Sequence, residues 1–172
     1  MLSIGCLKEN NNNDFRVSLT PETTRKFIKK NINVFLQEDC GLKSGFYNSD
    51  YEKVGGKILK SSKSVIESSD ILLSISPLDI EFEKIPKNIK SKIFIGNFNF
   101  KNNIPDKRFT FLALEKIPRI ARAQSMDILS SQASIAGYQS SLLAANHLNK
   151  YFPMLITAAG TISPAKILVI GA

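Results

Sequence analysis

Tryptophan is absent from this 172-residue chain, histidine occurs once at His147, and the only cysteines are Cys6 and Cys40. Two cysteines without CxxC spacing or a neighbouring histidine exclude a disulfide framework and a structural zinc site. Long hydrophobic runs are also missing. No stretch stays apolar for the roughly 20 residues that a bilayer requires, so no spanning helix is expected. The opening MLSIGCLKEN has no basic segment before an apolar core, and no secretory signal is expected either. Acidic residues are the scarcer charge, 15 against 23 basic ones, for a net charge of +8. With 43% hydrophobic and 22% charged residues, the composition is that of a globular protein rather than a disordered one.

The positive charge invites a nucleic-acid reading, which the distribution of the residues argues against. Eighteen of the basic residues are lysine and five are arginine, and the lysines are scattered among Ser and Gly. A phosphate-tracking surface would cluster Lys and Arg with interleaved aromatics. The densest group, Arg25, Lys26, Lys29 and Lys30, falls at the end of a predicted helix, where cations suit the dipole. No nucleic-acid partner is expected.

Along the chain, short apolar runs alternate with helix signals. Residues 2–7, 33–38, 57–59, 70–75, 93–95 and 110–114 read as strands. Thr20-Pro21-Glu22 is a helix start, with Thr20 as N-cap, Pro21 in the first turn and Glu22 at the positive end. Residues 48–54 and 61–69 read as further helices, and 41–45 as a flexible loop. Strands alternating with helices predict an α/β fold with a parallel sheet and flanking helices.

The character changes after Pro118. Residues 128–149 contain no Asp, Glu, Lys or Arg, and their apolar residues recur at helical spacing on two faces, which predicts a helix buried between layers or domains. A small-residue loop at 157–162 and a strand at 167–170 complete the expectation. A strand running into Gly171 is how a dinucleotide-binding βαβ unit begins. The plainer reading is a terminal strand; if the strand does open such a unit, the organisation is an N-terminal lobe (1–126), a linking helix (127–152) and the first strand of a truncated nucleotide-binding lobe (153–172).

The stretch PRIARAQSMDILSSQASIAGY, from Pro118 to Tyr138, has the richest side-chain chemistry. Arg119 and Arg122 can donate to a carbonyl or carboxamide, Gln124 can donate and accept, and Asp127 can accept from hydroxyl or amide groups. Spacing alone favours a simpler reading, with Asp127 as an N-cap and the arginines as surface charges.

Together with KENNNNDFRVSLTPE, GLKSGFYNSDYEKVGGKI and FPMLITAAGTISPAKILVIGA, this stretch resembles the N-terminal part of the alpha subunit of proton-translocating NAD(P) transhydrogenase, in the alanine dehydrogenase/transhydrogenase family. The resemblance covers nearly the whole chain. It implies a Rossmann-like N-terminal lobe and NAD(H) bound between two α/β lobes. It further implies hydride transfer to NADP(H) on the beta subunit, coupled to proton translocation. Arg119, Gln124 and Asp127 correspond to the loop at the nicotinamide end, flanked by Ser125, Met126, Ile128 and Ser130, while Gly171 represents the start of the glycine fingerprint. Their implied role is orientation. Direct hydride transfer needs no proton shuttle, so no acid–base catalyst and no metal is expected.

The implied partners are the beta subunit, the remaining alpha-subunit segments and a second copy of the chain. The implied location is the cytoplasm, peripheral to the inner membrane through those partners. Alone, the chain is expected to bind NADH weakly and to be inactive, because no glycine loop and helix N-terminus would hold the pyrophosphate. Two alternatives stand beside this reading. One is an alanine dehydrogenase-like enzyme, for which Arg16 could pair with a substrate carboxylate, although Ser74 and Phe98 replace that enzyme's lysine and histidine. The other is a silent remnant or assembly module.

Overall fold

Short apolar runs separated by capped helices fold as alternating strands and helices in a computed structural model that describes residues 1–10, 13–75, 85–89, 91–98 and 106–171. The chain divides into two compact units, Met1–Pro118 and Arg119–Ala172.

In the first unit all six expected strands form: β1 (Ser3–Cys6), β2 (Asn33–Gln37), β3 (Lys57–Leu59), β4 (Ile71–Leu73), β5 (Ile93–Gly96) and β6 (Thr110–Ala113). They make one sheet in the order β3-β2-β1-β4-β5-β6, and every pairing is parallel. This is the Rossmann order, with the chain reversing direction across the sheet between β1 and β4.

Among the described residues, three α-helices flank the sheet: α1 (Pro21–Ile28), α2 (Asn48–Glu52) and α3 (Ser62–Ser68). The start of α1 follows from its sequence. The Thr20 hydroxyl accepts from the Thr23 amide at 3.2 Å, the Thr23 hydroxyl accepts from the Thr20 amide at 2.9 Å, and Pro21 occupies the first turn. Ser61 caps α3 in the same way, accepting from Ser64. The expected loop at 41–45 is instead a 3-10 turn, Leu42–Ser44, closed by Gly45 at φ 81°.

Strand alternation sends successive side chains to opposite faces, and each face is covered. Ile4, Cys6, Val34 and Leu36 point to one side, where they pack with Leu19, Tyr51 and the α1 residues Phe27 and Ile28. Leu72 and Phe94 point to the other, against Val65 and Ile66 of α3. Phe94 anchors that second core, stacking on Phe111 at 5.2 Å and meeting Phe109 edge-on at 5.5 Å. Two strand glycines permit close approaches. A Cβ on Gly5 would strike Ser69, Leu72 and Val65, so α3 sits tight on β1. A Cβ on Gly96 would meet the Ser74 carbonyl oxygen, where the chain leaves β4 beside β5.

The second unit contains a 3-10 segment (Ala121–Met126), helix α4 (Ile128–His147) and an antiparallel hairpin of β7 (Leu155–Thr157) and β8 (Gly160–Ile162). Three sequence expectations are corrected here. Residues 157–162 form most of the hairpin rather than a loop. Gly160 at φ 115° turns the chain, while the Thr157 hydroxyl accepts from Ala159 N–H at 3.2 Å and donates to the Gly160 carbonyl at 3.2 Å.

Residues 167–170 do not form a strand. An apolar run becomes one only with a neighbour to pair its backbone groups, and Leu168 and Ile170 are 84% and 87% exposed. Helix α4 forms as predicted but is not buried, with Ile135, Tyr138, Leu142 and Leu143 all exposed. Among the described residues no helix is long and apolar enough to cross a membrane.

Candidate functional site

Asp127 sits where the 3-10 segment Ala121–Met126 gives way to α4, with the extended backbone (φ −78°, ψ 111°) of a helix cap. Its amide donates to the Gln124 carbonyl at 3.3 Å. One carboxylate oxygen accepts from the Leu129 amide at 2.9 Å and the other from the Ser130 hydroxyl at 2.8 Å. The Ser130 hydroxyl, the Leu129 amide and, more weakly, the Arg119 charge hold its carboxyl below the usual aspartate range. The side chain is thus an ionised acceptor in a fixed position. An ionised carboxylate has about four acceptor sites, and the two protein donors leave capacity for an incoming amide or hydroxyl.

Both readings of Asp127 from the sequence therefore meet in one side chain: it caps a helix, and the capping holds the carboxylate still. Around it, Arg119, Gln124, Ser125, Met126 and Ser130 are exposed, while Ile128 in the first turn of α4 is half-buried. Ala123, whose amide donates to Ile120 at 2.9 Å, is the buried residue of the 3-10 segment. This segment thus turns one small side chain inward and leaves guanidinium and carboxamide groups at the surface. The mixture of cationic donors, an amide and a carboxylate suits a carboxamide and sugar hydroxyls. Gly171, far along the chain, has φ 77°, a conformation that favours glycine, and a Cβ there would meet nothing within 4 Å.

The residues considered for the rival dehydrogenase chemistry lie in the first unit, near the carboxyl ends of its strands. Arg16 is paired with Asp14, Nη2 to Oδ2 at 2.6 Å and Nε to Oδ1 at 2.9 Å. Ser74 is buried, and its amide donates to the Ile95 carbonyl at 3.1 Å. Phe98 is buried in the aromatic core, 5.4 Å from Phe111. Neither position presents a titratable group for polarising a keto-acid carbonyl.

Glu9, which sequence patterns do not single out, lies in this region as well. It is buried, and its Oε1 accepts from the Ile75 amide at 2.6 Å. The two are 66 residues apart in the chain, so no local motif could have revealed the pair.

Known proteins resemble this chain in sequence and fold. The alanine dehydrogenase/PNT N-terminal domain model matches residues 5–136. An NAD(P) transhydrogenase subunit alpha chain of Rickettsia prowazekii is 37% identical over 178 residues, covering 99% of this chain and 46% of the relative. The crystal structure of transhydrogenase from Sinorhizobium meliloti superposes with a TM-score of 0.75 at 28% identity, over 95% of this chain and 50% of that one. The alanine dehydrogenase of Methanococcus maripaludis is more distant, 26% identical over 98% of this chain and 46% of the enzyme. The chain spans about half the length of these relatives. With its Rossmann-like parallel sheet and its Arg–Gln–Asp segment leading into α4, this chain belongs to the alanine dehydrogenase/PNT N-terminal domain family.

Proposed function

We propose that this chain is the N-terminal part of an NAD(P) transhydrogenase alpha subunit and that the Arg119–Ser130 segment orients the nicotinamide end of NAD(H). The observation that carries the reading is the Asp127 carboxylate, ionised and held by Leu129 and Ser130 beside exposed Arg119 and Gln124. The bound nucleotide supplies the hydride. The protein supplies position: Asp127 accepts from the carboxamide or a ribose hydroxyl, Gln124 donates or accepts, and Arg119 donates to a carbonyl oxygen. Ser125, Met126 and Ile128 flank the ring side of the segment, and Gly171 contributes backbone close to the nucleotide.

In this reading α4, within 127–152, links the lobe of residues 1–126 to the nucleotide-binding lobe beginning at 153. The hydride acceptor, NADP(H), is held by the beta subunit, and proton movement is carried by other segments of the assembly. The complex is a dimer at the cytoplasmic face of the inner membrane, attached through those segments. Ser74 and Phe98, which offer no titratable group in place of the lysine and histidine, disfavour the alanine dehydrogenase alternative.

The test is hydride transfer from NADH to an NADP analogue by this chain assembled with the beta subunit and the remaining alpha-subunit segments. Asp127→Ala is expected to lower turnover by about tenfold or more, as loss of a positioning contact does. Asp127→Asn, which keeps an acceptor for Leu129, should preserve α4 and still lose activity. Turnover unchanged in both variants would leave Asp127 as a helix cap alone.

A further inference from the structure

All six strands of the first unit run parallel, so every segment that enters a strand arrives at the same edge of the sheet. That edge gathers lysines which the sequence scatters. Lys29 and Lys30 follow α1 just ahead of β2, and Lys57 opens β3. The two groups are neighbours, since a Cβ on Gly55, in the turn before β3, would lie 3.3 Å from Ile28 at the end of α1. Lys87 precedes β5 and Lys107 precedes β6. The Arg108 guanidinium, also ahead of β6, donates to the Pro86 carbonyl at 3.2 Å and so fixes the backbone beside Lys87 at this edge.

These five lysines are exposed, and none is in an ion pair among the described residues. The acidic groups at this edge are largely committed elsewhere. Asp70 accepts from the Ser3 amide at 2.8 Å and the Ser3 hydroxyl at 2.6 Å, and Asp106 pairs with Arg108 at 2.6 Å. Asp50 lies 3.3 Å from Lys53, and Glu67 lies 4.0 Å from Lys63. Glu52 is the one described carboxylate left at this edge without such a partner. At the opposite, carboxyl end of the strands the signs are mixed: Lys8 and Glu9 follow β1, Glu38 and Asp39 follow β2, and Glu115 and Lys116 follow β6.

An apolar side chain sits between the basic flanks. Leu2, whose carbonyl accepts from the Asn33 amide at 3.0 Å, is 47% exposed at the entry to β1, with β2 and β3 on one side and β4, β5 and β6 on the other. Six strands about 4.8 Å apart make this edge about 24 Å across. We infer that the strand-entry edge of the first unit docks on an anionic lipid surface, with Lys29, Lys30, Lys57, Lys87 and Lys107 over the headgroups and Leu2 between them. Lipids move sideways to meet cations fixed on separate strands, and an apolar side chain enters the headgroup layer. Nucleic acid fits this edge less well. None of the five cations is arginine, and the neighbouring rings of Phe35 and Phe109 pack into the core instead of offering stacking faces. An acidic peptide would need carboxylates fixed at matching spacings over the same width. No nucleotide takes part in this contact, so it stands or falls apart from NAD(H) binding.

The test floats the full chain, without nucleotide, with vesicles of phosphatidylglycerol and phosphatidylcholine or of phosphatidylcholine alone. The chain should rise with the anionic vesicles only, and should be released in about 1 M salt, where screening shortens to about 3 Å. Each lysine near such a surface is worth about fivefold in partitioning, so Lys29→Glu/Lys30→Glu and Lys87→Glu/Lys107→Glu should each lower it by about tenfold or more. Lys8→Glu/Lys60→Glu makes the same charge change at the opposite end and should bind like the unaltered chain. Circular dichroism checks that all three variants keep the fold, as substitutions of exposed side chains should. No flotation, equal binding to neutral vesicles, equal loss in the opposite-end variant, or tighter binding to duplex DNA than to the anionic vesicles would each overturn the proposal.

Discussion

Glu9 Oε1 accepts a 2.6 Å hydrogen bond from the Ile75 amide and so joins the segment after β1 to the segment after β4. These strands flank the point where the sheet order reverses, the crevice at which open parallel sheets commonly take ligands. Here the protein's own groups bridge the two strand ends. The Ser18 hydroxyl adds a second link, donating to the Leu73 carbonyl at 3.3 Å. In the first unit the switch point thus ties strands together, and the candidate nucleotide contacts are in the second.

Removing that tie should weaken the first unit. Glu9→Ala leaves the Ile75 amide without its carboxylate acceptor and should cost about 1–3 kcal/mol in urea unfolding. Glu9→Gln, which keeps an oxygen acceptor, should cost less. Equal losses for the two variants would show that charge, rather than the Ile75 bond, is what Glu9 contributes.

Tyr51 gives a cleaner measure of a buried hydrogen bond. Its ring is fully enclosed and its hydroxyl donates to the Leu19 carbonyl at 2.9 Å, while burial pushes the phenol pKa up. Tyr51→Phe keeps the ring packing against Phe46 and deletes the donor. The expected loss is about 1–2 kcal/mol by chemical denaturation, with the secondary structure unchanged.

Gly96 tests the approach of β4 to β5. Gly96→Ala would drive a methyl group into the Ser74 carbonyl oxygen, and a backbone atom cannot rotate aside as a side chain can. A loss of about 1–3 kcal/mol is expected. Hydrogen exchange should show the effect concentrated in β4 and β5, and loss of protection spread evenly over the sheet would contradict it.

Acid should loosen the start of α4 through Asp127. Its carboxyl titrates below the ordinary 3.8, so the stabilisation is present above that value and is lost as pH falls through the lower, folded-state one. From about pH 5 to about pH 2, exchange protection at Leu129 should fall in the unaltered chain. Asp127→Asn, which cannot titrate, should stay flat over the same range. A parallel fall in both would assign the acid sensitivity to other groups.

Local chemistry makes much of the first unit legible in the sequence. Six apolar runs became six strands because each is short, bounded by polar residues and able to pair in parallel. Thr20-Pro21-Glu22 marks the start of α1 because capping depends on residues within one turn. The hairpin Leu155–Ile162 is less visible, since its turn rests on Gly160 at positive φ and on the Thr157 hydroxyl rather than on a standard turn dipeptide. The candidate segment is identifiable as a motif, but spacing cannot separate cap from ligand, because Asp127 is placed to serve as both.

The sequence by itself determined the α/β alternation, the capped helix starts, the uncharged α4 and the Arg119–Asp127 chemistry, since all of these depend on residues close together in the chain. Tertiary structure alone decided that β1 lies between β2 and β4, that Glu9 reaches Ile75, and that Cys6 and Cys40 join one core cluster. It also decided that residues 167–170, apolar enough for a strand, do not become one. Such outcomes rest on partners supplied by distant segments. Pattern shows that a group needs a partner, and only the fold supplies it.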